Sequence, residues 1–173
     1  MELYVLEREQ LIPRPRPEVF AFFSDARNLE RVTPPRLSFR ILTPMPIAMH
    51  AGARIDYRLS LFGVPFRWRT LIESYSPDES FVDVQLSGPY RSWHHIHRFE
   101  ERGDGTVMSD RVEYSLPLGP LGGVAHALFV ARQLRSVFDF RRATIAALFP
   151  FASASPSDRS HAQGGGGVDG PRA

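Results

Sequence analysis

The sequence predicts an α+β domain in which a curved antiparallel seven-stranded sheet wraps around a long C-terminal helix, with two short helices after the first strand. Three observations carry this expectation. Between residues 37 and 116, apolar and polar residues alternate with the period of half-buried strands. The connections between these runs are so short that antiparallel hairpins are the natural way to join them. Residues 124–149 instead keep the helical period, with one apolar stripe.

The elements follow in order. Residues 3–12 read as a strand, which Pro13, Pro15 and Pro17 interrupt. Pro17 suits the first turn of a short helix carrying Val19, Phe20, Phe22 and Phe23. Ser24-Asp25 ends it, Ala26 to Val32 form a second short helix, and Pro34-Pro35 stops that segment. The strands begin with Leu37, Phe39 and Ile41 on one face, opposite Ser38 and Arg40. Ile55, Tyr57, Leu59 and Leu61 mark the next, and Phe66, Trp68, Thr70 and Ile72 the one after. Further strands cover about residues 80–87, 92–101 and 106–116. Turn signals lie at Phe62-Gly63, Ser76-Pro77-Asp78, Gly88-Pro89 and Gly103-Asp104-Gly105. A Gly/Pro-rich loop over 117–123 leads into the final helix. There Ala127, Val130, Val137, Phe138, Ile145 and Leu148 fall within about 60° of Leu134 on a helical wheel. Arg141 is the exception, a charge near the centre of the apolar stripe.

The domain expected is residues 1–149. Residues 150–173, rich in Gly and Ser, hold too little apolar surface to offset their ordering entropy and read as a disordered tail.

Composition narrows the chemistry. The chain has 173 residues, is 43% hydrophobic and carries a formal charge of +2, as expected of one soluble domain with a core. It contains no cysteine, which excludes disulfides, thiolate nucleophiles and iron–sulfur clusters. All 21 basic residues are arginine, which excludes lysine Schiff bases and a P-loop lysine. So small a net charge predicts no nucleic-acid partner, and Arg54, Arg58, Arg67 and Arg69 read as a solvated face. Charges near the N-terminus exclude a secretory leader, and the apolar run Val124 to Ala131 is too short to span a bilayer. The expectation is a cytoplasmic protein without stable membrane insertion. Nothing in the sequence sets an oligomeric state.

The informative polar residues lie between 81 and 114. In the run from Trp93 to Phe99, one face carries Trp93, His95, His97 and Phe99, and its terminal aromatics make it the interior face. If Gly103-Asp104 is a two-residue turn, Phe99 faces Met108, His97 faces Asp110, His95 faces Val112 and Trp93 faces Tyr114. The apolar faces of both strands then agree, and an interior histidine meets an interior aspartate. The preceding strand is ambiguous. Either Val82, Val84 and Leu86 or Phe81, Asp83 and Gln85 face inward, and a hairpin centred on Tyr90 would pair Asp83 with His97 and Gln85 with His95.

Four readings fit a cluster of Asp83, Gln85, His95, His97 and Asp110. It is a satisfied buried hydrogen-bond network, a polar patch that orients a ligand, a His–Asp acid–base pair, or a metal site. His-x-His with a carboxylate is chemically adequate for a metal, but the spacing is common, and no resident metal or cofactor is expected. Arg141 either reaches past the sheet edge, pairs with an acidic residue, or faces the cavity. The 117–123 loop lacks a phosphate-binding fingerprint, and no nucleophile motif is present.

The element order, together with Phe81-x-Asp83-x-Gln85-x-x-Gly88-Pro89-Tyr90-x-x-Trp93-x-His95-x-His97-x-Phe99, Asp110-Arg111-Val112-x-Tyr114 and Gly119-Pro120-Leu121-Gly122, resembles the START-like SRPBCC superfamily. Within it, the likeness is to bacterial ligand-binding members labelled polyketide cyclase/dehydrase. It covers residues 1 to about 149. The resemblance implies a helix-grip fold with a largely apolar cavity for a lipid, polyketide, sterol or quinone-like molecule, and it favours the inward choice for Phe81, Asp83 and Gln85. Fold does not decide activity here, since the superfamily holds carriers, cyclases and receptors.

The leading expectation is therefore binding of a small hydrophobic ligand. Phe20, Phe23, Tyr57, Leu59, Trp68, Trp93, Phe99, Tyr114, Leu134 and Phe138 would form walls, and Asp83, Gln85, His95, His97 and Arg141 would supply the polar end. The alternative is a cyclase, dehydratase or isomerase with His97 as general base, oriented by Asp110 or Asp83 and aided by His95. A third is an interaction module with a filled core and no cavity.

Overall fold

The computed structural model describes residues 2–61, 63–117, 124 and 129–151. The element order is β1 (Tyr4–Ile12), α1 (Arg16–Phe23), 3-10 turns at Ala26–Leu29 and Pro35–Leu37, β2 (Arg40–Ile41), β3 (Arg54–Leu61), β4 (Val64–Ser76), β5 (Ser80–Ser87), β6 (Ser92–Arg102), β7 (Gly105–Ser115) and α2 (Ala131–Leu148). The strands form one antiparallel sheet in the order β1-β7-β6-β5-β4-β3-β2. The α+β expectation holds, with α2 against one face of the sheet.

Several local expectations change. The strand expected at 37–41 shrinks to Arg40–Ile41, because Pro35–Leu37 coils into a 3-10 turn and Ser38 adopts a left-handed backbone with φ 46°. Pro35 thus starts a turn rather than ending the preceding segment. The second short helix is a single 3-10 turn, capped by the Asp25 carboxylate on the Arg27 backbone N–H. β4 is longer than its alternation indicated and carries irregularities at Arg69/Thr70 and Ile72/Ser74. Such bulges bend a strand and deepen sheet curvature. The expected loop over 118–123, the helix between 125 and 128 and the tail from 152 onward lie outside the described residues.

The β6–β7 register matches the expectation, pairing Phe99 with Met108, His97 with Asp110, His95 with Val112 and Trp93 with Tyr114. The two-residue turn is possible because Gly103 takes φ +60° without a side-chain clash. The β5–β6 register differs by two residues: Asp83 faces His95 and Phe81 faces His97. A slip of two preserves which face each side chain occupies. The Gln85 side chain helps set it by gripping the turn. Its Nε2 donates to the Tyr90 carbonyl at 2.7 Å, and its Oε1 accepts from the Tyr90 N–H at 3.3 Å. That side chain crosses the space that a Cβ on Gly88 would need.

Apolar packing separates into two clusters. Ile12, Val19, Phe20, Phe81, Phe99 and Ile145 belong to one, where α1 and the end of α2 close over the sheet. Leu6, Val112, Tyr114, Leu134 and Phe138 form the other, between the sheet and the first half of α2. The cavity and the polar cluster lie beside this second region.

Candidate functional site

Between the sheet and α2 lies a cavity of about 220 Å3. Tyr57, Leu59, Phe66, Trp68 and Trp93 line it from the sheet. Leu29, Thr33, Leu37 and Phe39 come from the segment between α1 and β2, while Phe129, Val130, Gln133, Leu134, Val137 and Phe138 come from α2 and the two residues before it. The sheet-side aromatics are pinned by one buried hydroxyl. Trp68 Nε1 donates to Thr70 Oγ1 at 3.0 Å, and the Tyr57 hydroxyl lies 2.9 Å from the same oxygen. Trp68 also meets Trp93 edge-on at 5.3 Å between ring centres. Burial pushes the Tyr57 hydroxyl strongly up, so it stays a neutral hydrogen-bonding group. A larger depression of about 360 Å3 on the other face of the sheet is lined mainly by Glu7, Arg8, Glu9, Arg98 and Arg111. Its charged wall suits solvent, whereas the inner cavity presents apolar surface with one polar end.

That end is Asp83, His95 and His97. The two imidazoles sit side by side, 3.8 Å between ring centres, and both lie between two carboxylates. His95 Nε2 donates to Asp110 Oδ1 at 2.8 Å, and its Nδ1 is 3.4 Å from Asp83 Oδ2. His97 Nε2 donates to Asp83 Oδ2 at 2.8 Å. Its Nδ1 lies 3.0 Å from Asp110 Oδ1 but lacks the alignment of a hydrogen bond. Arg141 approaches Asp110 at 3.7 Å and lies over the Phe23 ring, 5.0 Å from its centre. The charge that interrupts the apolar stripe of α2 thus sits behind the cluster, with its side chain only 12% exposed.

The charges follow from these partners. Burial alone would raise the Asp110 carboxyl, but Arg141, the hydrogen bond from His95 and the adjacent His97 ring outweigh it and hold the group well below the usual carboxylate range. Asp83 is lowered in the same way, with burial opposed by His95, His97 and Arg141. Burial, then the neighbouring His97 charge, lowers His95. For His97, burial is outweighed by the Asp110 carboxylate beside it and by its hydrogen bond to Asp83, so it is raised. Two carboxylates are thus matched by a guanidinium and by the imidazole whose charged form they favour, which offsets the cost of hiding ions from water.

The structure therefore brings together Asp83, His95, His97, Asp110 and Arg141. Trp68, Trp93, Leu134 and Phe138 also stand at the cavity. Phe20, Phe23 and Phe99 instead pack in the closed end. Tyr114 is buried against Leu134 and Phe138, Gln85 is engaged with the Tyr90 backbone, and Asp110 and Arg141 lie behind the two histidines. Sequence reasoning did not place Phe39, Phe66, Tyr90, Phe129, Gln133 or Val137 in a site. Of these, Phe39 and Phe66 carried a signal as members of apolar strand faces, and Val137 by its position on the α2 stripe. A cavity of this size also sets aside the reading of a filled core.

A sheet curled about a C-terminal helix, with a cavity held between them, defines the helix-grip class of proteins. Residues 12–139 match the model of the family described as polyketide cyclase / dehydrase and lipid transport, and the chain belongs to that family. A search of the curated proteins found no match. Solved structures share the fold. Protein CV1439 from Chromobacterium violaceum is 12% identical with a TM-score of 0.66, covering 84% of this chain and 96% of its own. Major latex-like protein 151 from Panax ginseng is 10% identical with a TM-score of 0.63, covering 86% and 98%. The di-domain ARO/CYC StfQ from the steffimycin biosynthetic pathway is 15% identical with a TM-score of 0.64, covering 85% of this chain and 50% of its own.

Proposed function

We propose that this protein holds a small hydrophobic molecule in the cavity between sheet and helix, with a polar group of that molecule turned toward Asp83, His95 and His97. The observation that carries this reading is the cavity itself: apolar and aromatic on its sides, ionisable at one end. Among the classes suggested by the sequence, its size discriminates. Drug-sized ligand pockets are usually about 300–1,000 Å3, so a space of about 220 Å3 suits a compact ring system better than a sterol or a long acyl chain. Membership of a family of cyclases, dehydrases and lipid transporters supports such cargo. Among the described residues no helix is long and apolar enough to cross a membrane. A freely diffusing cytoplasmic binder remains our reading.

Native mass spectrometry of the protein purified from its source tests this. The expected spectrum shows one small cyclic molecule per chain, lost from a Leu134→Trp variant that fills the cavity. A wild-type spectrum free of adducts, with no change in Trp68 and Trp93 fluorescence on adding compact phenols or quinones, would overturn it.

A second reading is favoured by the contact of His97 Nε2 with Asp83, because both residues reach the cavity. An imidazole whose protonated form is favoured by neighbouring carboxylates is suited to giving a proton to a carbonyl or departing hydroxyl oxygen of a bound compound during cyclisation or dehydration, an acid rather than the expected general base. On a confirmed substrate, a folded His97→Ala variant is expected to lose about 100-fold or more of the turnover. Full retention would sink the catalytic reading.

A further inference from the structure

We infer that Asp83, His95 and His97 form a site for one divalent transition-metal ion, represented by Zn2+, whose open coordination position faces the cavity. The inference goes beyond ligand carriage and does not depend on it.

The first support is the donor set. One carboxylate and two imidazoles offer ligand atoms that all lie within 4.8 Å of one another. Bonds of about 2.0 Å at tetrahedral angles place ligand atoms roughly 3.3 Å apart. His95 Nδ1 and Asp83 Oδ2 are 3.4 Å apart, already at that spacing. His97 Nε2 and Asp83 Oδ2, at 2.8 Å, need to separate by only about half an ångström.

The second support is the group behind the ligands. Imidazoles that bind metals almost always donate their other N–H to a carboxylate, carbonyl or water, which fixes the tautomer and orients the ring. Here one oxygen, Asp110 Oδ1, lies 2.8 Å from His95 Nε2 and 3.0 Å from His97 Nδ1. Both far nitrogens therefore lie beside Asp110, and both near nitrogens lie beside Asp83. An acceptor from His95 Nε2–H and His97 Nδ1–H would leave two lone pairs converging on the Asp83 side. Arg141 offsets the charge of that second carboxylate.

The third support is what the hydrogen bonds leave unfinished. Two well-formed bonds serve four ring nitrogens, and His97 Nδ1 is buried without a hydrogen-bond partner. Ligation through His97 Nε2 would free its hydrogen bond to Asp83 and let a small ring rotation align Nδ1–H with Asp110. The cation would thus complete every nitrogen of the pair.

Asp83, His95 and His97 line the cavity, so the remaining coordination position opens toward it. An oxygen donor of a bound molecule, such as a phenolate, enolate or carboxylate, fits there, or water in its absence. Three protein ligands with one open position is the arrangement of reactive rather than structural zinc sites.

The full-length protein, stripped with chelator, would be titrated with Co2+ while its visible d–d absorption is followed, and with Zn2+ by calorimetry. We expect saturation at one equivalent of either metal. His97→Ala and Asp83→Ala should lose it, Asp110→Asn should keep the stoichiometry with about 10–100-fold weaker binding, and His94→Ala, which changes only the opposite face of β6, should bind as wild type. Absence of saturable one-equivalent binding by the wild-type protein would overturn the inference without reference to any variant. So would binding that survives in a folded His97→Ala protein. Neither result bears on whether the chelated protein still takes up an apolar molecule, so the two proposals fail separately.

Discussion

His95 and His97 are two residues apart on one strand and face the same two carboxylates, yet their environments push them in opposite directions. Burial and the neighbouring His97 charge lower His95, while the Asp110 carboxylate and the hydrogen bond to Asp83 raise His97 against the same burial. In chelator-treated protein, nitrogen-15 NMR across a pH titration should therefore show His95 giving up its proton at lower pH than His97. The reverse order would contradict the assignment. Asp110 is the residue on which both depend. Asp110→Ala would leave the His95 N–H and the Arg141 guanidinium buried without their anion, and should cost about 3–5 kcal/mol in urea unfolding. A loss below about 1 kcal/mol would mean the cluster is far more hydrated than its burial indicates. The facing of His97 and Asp110 was legible from alternation together with the Gly103-Asp104 turn. Asp83 was expected to face His97 directly under one of two options, but it reaches that ring as a diagonal contact, because the turn sets the register two residues away.

At the scale of elements, α2 shows what periodicity can and cannot reveal. Its stripe correctly placed Leu134, Phe138 and Ile145 inward, and marked Arg141 as misplaced. Only the packing explains that arginine, which spans from the helix to Asp110 across the Phe23 ring. The two ends of the helix have different duties. Ile145, 1% exposed, belongs to the closed cluster, so Ile145→Ala should cost about 2–5 kcal/mol through the cavity it leaves while ligand affinity stays unchanged. Leu134→Trp should do the reverse, abolishing uptake at a smaller cost in stability. Chemical denaturation and fluorescence titration of the two variants separate these effects, and a shared phenotype would deny the division. The segment before β2 was the least legible. Its alternating Leu37, Phe39 and Ile41 imitate a strand, but Pro34 and Pro35 favour a turn whose Leu37 and Phe39 serve as cavity wall.

For the whole molecule, the buried ions make stability depend on pH from both sides. Asp83 and Asp110 are lowered by folding, so their contribution is present above the ordinary carboxylate value near 3.9 and is lost as pH falls through their lower native values. His95, also lowered, contributes above about pH 6.5 and loses that contribution on the way down. His97 is raised, so its contribution is full below about pH 6.5 and is lost as pH rises through its native value. Urea midpoints of metal-free protein should decline steeply in acid and gently above neutrality, with the alkaline decline absent in a His97→Asn variant. A profile flat from pH 4 to 9 would refute this account. Composition separately predicts that a chain ending at Phe151 unfolds at the same midpoint as the full 173 residues; a shift of more than 1 kcal/mol would show that the Gly/Ser-rich segment packs on the domain.

The sequence by itself determined the number and type of the main elements, the β6–β7 register and the inward facing of His95, His97 and Asp110. These are local consequences of period-two and period-3.6 patterns and of turns that tolerate few geometries. Only the tertiary structure decided which inward aromatics line a space and which fill a core. That distinction depends on how far α2 stands from a bent sheet at each end, a distance no single strand encodes. It also decided that Arg141 lies behind the histidines and that Asp83 completes them, because long-range packing brings a helix residue and three strands to one point.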